Sequence, residues 1–379
     1  MSSSLPGWPK VDLDPTAALS LRVSALETSV AAELTKPHYF INAKNYPTIQ
    51  KAIDAAPAYN GTLGTAGCVV FIPKGYYNTT STPAMGQLTI PDGVTLMGEG
   101  ALSTILHYDG SVNNDIVSVP GNWAGIENLC IRGPNSAGTG KGVVYGTGGG
   151  LLVHFNMRNV FIEKTASWAL HCSNTCINSS FINCRFIQAA SNGGILIDTA
   201  CTTMRFFQCW CINNAGYQLK LDSAVGCTFV GVTFEANAAA RLSVPFVYQT
   251  ASVGNKFTDC YWEDGSSTGT VQYFIHHEGK VYGASYDACN FARDGGSIFR
   301  MFNANGSAGS PTRKAVIASP FCWLGTTPST GTDDIQTAHA TDEVYVTHAA
   351  CFDTDNTSAS EATFVLTTAG GGTMSVTNP

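Results

Sequence analysis

Five stretches decide the fold: FINCRFIQAA at 181–190, FFQCWCINNA at 206–215, FVGVTFEANA at 229–238, FTDCYWEDGS at 257–266 and YDACNFARDG at 286–295. Each carries an apolar-or-Cys position, an outward residue, a large apolar residue and a polar turn. The apolar-or-Cys positions are Cys184, Cys209, Val232, Cys260 and Cys289. Weaker copies place Leu129 and Val160 at the same point, and successive copies lie 31, 24, 25, 23, 28 and 29 residues apart. Alternating strands recurring at that period predict a solenoid in which each repeat stacks on the last. The register then fixes which side chains share a column.

Composition agrees with a β-rich, turn-rich chain. Of 379 residues only 12% are charged and 39 are Gly, against about 25% charged in ordinary soluble proteins. The net charge of −7 argues against nucleic acid or an anionic membrane as partner. No apolar run approaches the roughly 18 residues that would span a bilayer, so no membrane insertion is expected. MSSSLPGWPK shows no basic segment followed by an apolar core, so no secretory signal is expected. The 13 cysteines are odd in number, which argues against a full set of intrachain bridges. Four recur at one inward position and behave as small hydrophobes. No metal ligand set and no cofactor is expected.

Three regions are predicted. Residues 1–36 form a tail and a helix begun by Asp14-Pro15, whose Leu19, Val23, Leu26 and Val30 make an apolar seam suited to self-association. Residues 37–305 carry the repeats. Residues 306–379 change character, and a small β cap or sandwich is expected there. Within the second region, Pro47-Thr48 opens a short helix with Ile49, Ala52, Ile53 and Ala56 on one face. Cys68–Ile72 is a strand, and LTIPDGVTLMGEG gives two strands about an Asp92-Gly93 turn.

This last stretch, from TIQKAIDAA through CVVFIPKGYY to GVTLMGEG, resembles the N-terminal signature of the pectate-lyase-like parallel β-helix superfamily. The resemblance implies an all-β, right-handed, single-stranded parallel β-helix. The short helical N-terminus ahead of it is similar to phage tailspike and tail-fibre proteins. That likeness implies a homotrimer in the virion tail that binds, and in many cases depolymerises, a bacterial surface polysaccharide. Residues 1–36 would then attach to other tail or baseplate proteins. Two alternatives stand: a non-enzymatic receptor-binding or structural virion protein, and a bacterial extracellular polysaccharide lyase or hydrolase. Pectate lyases use calcium-bound acidic clusters and an arginine base. Here Arg185, Arg205 and Arg293 lack a matching acidic triplet, which favours hydrolysis over lyase chemistry.

Columns locate the candidate chemistry. The outward column after the apolar-or-Cys position runs Cys130, Phe161, Arg185, Trp210, Thr233, Tyr261, Asn290. Flat rings and a guanidinium suit sugar rings, so Arg185, Trp210, Tyr261 and the neighbouring Trp262 are expected to bind substrate. Two residues on, Glu235 and Glu263 fall on adjacent rungs, about 4.8 Å apart. Paired carboxylates at such spacing are what glycoside cleavage uses, with Asp259 beside them as a further candidate. A rival pair, Asp198 and Asp222, follows a second strand column aligned as Cys172, Ile197, Leu221, Tyr248 and His277. Ordinary solvated surface charge is the competing reading for both pairs. His277 is expected to be a buried, hydrogen-bonded core histidine. Asn128, Asn159, Asn183 and Gln208 are expected to form an amide ladder.

Overall fold

The computed structural model describes residues 40–56, 67–147, 149–198, 200–236, 244–264, 273–293, 300–305, 310–324, 335–337, 342–347, 350–353, 366–368 and 373–377. The helix expected over 13–35 and the attachment role of 1–36 lie outside them. The described chain is almost entirely short parallel strands stacked in three long ladders. The only α-helix described is Ile49–Asp54, capped by Thr48, whose side chain accepts from the Lys51 N–H. It turns Ile49, Ala52 and Ile53 inward, as the spacing required.

The first ladder includes Ser180–Ile182, Arg205–Phe207, Thr228–Val230, Lys256–Thr258 and Ser285–Asp287, each paired in parallel with the next. The second includes Arg185–Ile187, Trp210–Ile212, Thr233–Ala236, Tyr261–Asp264 and Asn290–Arg293. The third is an 11-stranded sheet running through Trp168–Cys172, Gly193–Ile197, Tyr217–Asp222, Val247–Thr250 and Tyr273–Glu278. Parallel neighbours of this kind need the whole coil as their crossover, which is why the repeat exceeds twenty residues.

A left-handed corner separates the first ladder from the second. It is occupied in turn by Asn128, Asn159, Asn183, Gln208, Gly231, Asp259, Ala288 and Ser319, all with φ between 48° and 59°. Asn, Asp and Gly tolerate this conformation best. The corner also builds the amide ladder: Asn159 Nδ2 donates to Asn128 Oδ1 at 2.9 Å, and Asn183 Nδ2 donates to Asn159 Oδ1 at 2.7 Å.

Inside, like side chains stack on like. Phe181, Phe206, Phe229, Phe257 and Tyr286 form one continuous column with successive centroids 4.3, 4.9, 4.6 and 4.9 Å apart. Each such pair contributes about 0.5–1.5 kcal/mol beyond burial. Every cysteine whose side chain is described is buried and outside any disulfide, so the repeated thiols are core hydrophobes, as their inward register demands.

Beyond Asn305 the described strands continue the three ladders, and one alignment needs correction. Ala315–Ala318, Glu343–Thr347 and Thr373–Thr377 extend the first ladder, Phe321–Leu324 and Ala350–Asp353 the second, and Ile335–Thr337 and Leu366–Thr368 the third. In the third ladder, the residue aligned with Leu221 and His277 is Gln249, not Tyr248, which pairs instead with Lys220 and His276. A slip of one residue exchanges inside for outside. The displaced reading therefore hid a buried glutamine and put a surface tyrosine in the core.

Gln249 belongs to a buried polar cluster. Its amide contacts Tyr286 Oη and His277 Nε2, Asn255 Nδ2 donates to its Oε1 at 3.1 Å, and Tyr286 Oη lies 2.8 Å from His277 Nε2. His277 is fully buried, and desolvation, with the neighbouring His276 charge, lowers its pKa to about 3.

Candidate functional site

The outer face of the second ladder carries the predicted column in the predicted register. Cys130 pairs with Phe161, Phe161 with Arg185, Arg185 with Trp210, Trp210 with Thr233, Thr233 with Tyr261 and Tyr261 with Asn290. Strand alternation alone places these side chains on one face. Cys130 is the exception to solvent contact, being only 3% exposed. Stacking makes a compact unit in the middle of the column. The Arg185 guanidinium lies 4.5 Å from the Phe161 ring centre and 4.9 Å from that of Trp210. Cation–π contact with rings on the two neighbouring rungs holds it between them.

Two residues further along the same strands lies the carboxylate column. Glu163 pairs with Ile187, Ile187 with Ile212, Ile212 with Glu235 and Glu235 with Glu263. Glu235 and Glu263 are therefore direct neighbours on adjacent rungs, half-buried and outward-facing. Tyr261 donates its hydroxyl to Glu263 Oε2 at 2.9 Å. Burial first, then this bond and the charges of Glu263 and Glu235, push the Tyr261 phenol up to about 12. Tyr261 thus remains a hydrogen-bond donor throughout the physiological range. At the other end of the column Glu163 is taken up by Arg132 at 2.6 Å.

Two further predicted residues do not join this site. Trp262 is fully buried and stacks on Phe234 and Phe291 at 5.2 and 4.8 Å. Alternation turns it inward, so it supports the strand and does not meet a ligand. Asp259 occupies the left-handed corner, four residues before Glu263. At roughly 3.3 Å per residue it sits at the opposite edge of the strand from the glutamate pair.

The rival pair stands on the outer face of the third ladder. Asp198 and Asp222 follow Ile197 and Leu221, which pair directly. Each has a basic partner: His171 Nε2 lies 2.8 Å from Asp198 Oδ2, and Lys220 Nζ lies 3.9 Å from Asp222 Oδ2. Sequence reasoning missed the rest of this face. Tyr248 stacks on His276 at 5.5 Å, and Tyr273 stacks on His276 at 5.2 Å. His276 Nε2 contacts Glu278 at 2.8 Å, and Asn305 Nδ2 donates to the same oxygen at 2.8 Å. Correct placement of Tyr248 one residue over would have revealed it. The carboxylates here are engaged by His171, Lys220, His276 and Asn305.

The fold and this outer face define a parallel β-helix with a column of rings, one guanidinium and paired carboxylates along its length. No protein-family model matches the chain, and no curated protein sequence does. Solved structures share the fold at low identity. The ORF18 protein of Geobacillus virus E2 aligns with a TM-score of 0.61 and 17% identity, over 89% of this chain and 63% of that one. The gp42 tailspike of Acinetobacter phage vb_AbaP_AS12 aligns at 0.60 and 12% identity, over 90% and 63%. An alginate lyase from Paenibacillus sp. str. FPU-7 aligns at 0.58 and 12% identity, over 88% and 98%. The chain thus spans 63% of the two viral proteins. These likenesses establish the fold.

Proposed function

We propose that this chain is a viral tailspike or tail-fibre protein that recognises a bacterial surface polysaccharide along the outer face of its second ladder. The observation that carries the reading is the in-register column of Phe161, Arg185, Trp210 and Tyr261 beside the adjacent-rung pair Glu235–Glu263. A glycan laid along the helix axis meets rings, hydrogen-bond donors and carboxylates at a repeat close to the strand spacing of about 4.8 Å. Fold neighbours that include a phage tailspike and an alginate lyase support a polysaccharide ligand.

Cleavage is the further step within this reading. One glutamic acid would protonate the leaving glycosidic oxygen, and the other carboxylate would act as base or nucleophile, as glycoside hydrolysis requires. Tyr261 holds Glu263 in a fixed orientation for that role. Assembly as a homotrimer and attachment to other tail proteins through residues 1–36 complete the proposal, and sedimentation of the full chain reads the first directly.

The test is incubation with a panel of bacterial capsules and lipopolysaccharides, followed by binding measurement and product sizing. Glu235→Gln combined with Glu263→Gln is expected to abolish chain shortening and to preserve binding. Unchanged shortening would remove the pair from the chemistry and move attention to Asp198 and Asp222. Binding with no shortening by the unaltered protein would identify a receptor-binding protein without enzymatic action.

A further inference from the structure

Arg185 is held in a manner that its surroundings do not use. Its guanidinium is clamped between Phe161 and Trp210, yet among the described residues it forms no hydrogen bond and no ion pair, and its Nε is buried without a partner. A buried donor left unsatisfied costs about 1–3 kcal/mol. Nearby carboxylates are kept away by the same register that stacks the rings. The positions beside Arg185 and Trp210 in the neighbouring column are Ile187 and Ile212. Glu163, one rung earlier, is already bound by Arg132 at 2.6 Å, and Glu235 lies two rungs further on, past Ile212.

The two rings flank the guanidinium from the rungs on either side. The guanidinium presents a planar fork of N–H donors matched to an oxyanion. The flanking rings also lower the local dielectric, which strengthens such an interaction.

We infer that Arg185 is the recognition point for an anionic group of the glycan, a sugar carboxylate or a phosphate, and that the polysaccharide bound by this face is therefore acidic. The inference rests on the glycan-binding reading above and deepens it by naming the ligand's class. The flanking Ile187 and Ile212 would dock the apolar side of the same sugar. The carboxylates at Glu235 and Glu263, two and three rungs away, would meet later residues of the chain.

The experiment uses the full chain and a panel of purified bacterial capsular and O-chain polysaccharides, both acidic and neutral. An acidic member is expected to bind, and Arg185→Gln is expected to weaken it at least tenfold while leaving the melting temperature within a degree or two. Arg185→Lys should not restore binding, because a lysine cannot present the planar fork between two rings. Affinity should also fall as salt rises. Two treatments of the bound glycan separate the sources of charge. Carbodiimide–borohydride reduction removes carboxylates, hydrofluoric acid removes phosphates, and one of the two should reproduce the Arg185→Gln loss.

A neutral polysaccharide bound as tightly as any acidic one, or an acidic one indifferent to Arg185→Gln and to both treatments, would overturn this inference and leave the glycan-binding reading standing. Failure to bind any member of the panel would overturn both.

Discussion

Lowering the pH should loosen this fold through one side chain. His277 sits inward between Gln249 and Ala304 in the third ladder, fully buried, with Tyr286 Oη at 2.8 Å and its Nδ1 unpartnered. Its pKa falls from the ordinary 6.5 to about 3 in the folded chain, mainly through desolvation. The unfolded chain therefore binds a proton that the folded chain refuses between those two values. The associated stability is fully present above pH 6.5 and is lost as the pH falls toward 3. For a single site with these constants the loss amounts to about 2 kcal/mol at pH 5 and about 3 kcal/mol at pH 4. The perturbation that isolates it is His277→Leu, since Ile197 and Leu221 occupy the same inward column. That change leaves the Tyr286 hydroxyl bonded to the Gln249 amide but without its His277 partner, which costs about 1–3 kcal/mol, but at every pH alike. Urea unfolding of both proteins at pH 7.5, 6 and 5 gives the comparison. The gap between them should shrink by about 2 kcal/mol from pH 7.5 to pH 5. His276, whose pKa burial also lowers, remains in both and cancels. Parallel pH curves would show that His277 titrates in the fold as it does in the unfolded chain, and the desolvation argument would fail.

Two further outcomes follow from the interior, beside those stated for the glutamate pair and for Arg185. Phe229→Ala interrupts the ring column between Phe206 and Phe257 and should cost about 3–5 kcal/mol in unfolding experiments; a loss under 1 kcal/mol would deny the column its role. Thiol reagents applied to the native protein should leave Cys184, Cys209 and Cys260 unlabelled on the timescale that labels the unfolded chain, because all three are fully buried; rapid labelling would contradict the inward register.

The strand columns were legible in the sequence because a stacked parallel coil repeats one local pattern. Alternation within FINCRFIQAA and its fellows fixes which side of the strand each residue takes, and the period fixes which residues stack. Those two facts sufficed to place Phe161, Arg185, Trp210 and Tyr261 on one face and Glu235 against Glu263. The pattern failed where turns lengthen. Between Ala236 and Val247, spacing alone did not fix the register, and Tyr248 and Gln249 changed places. Trp262 was misassigned for a related reason: it is near Glu263 in sequence, but alternation sends the two side chains to opposite sides.

By itself the sequence determined the strand repeat, the cysteine-lined core, the asparagine column and the membership of the second ladder's outward columns, because each depends only on neighbours along the strand and on a fixed step between strands. Only the tertiary structure decided what the columns do. It continued the ladders beyond Asn305 and gave Asp198 and Asp222 basic partners. It also closed Phe161 and Trp210 over Arg185, leaving the guanidinium without an acid. Such contacts depend on side-chain rotamers between rungs, which strand periodicity does not specify.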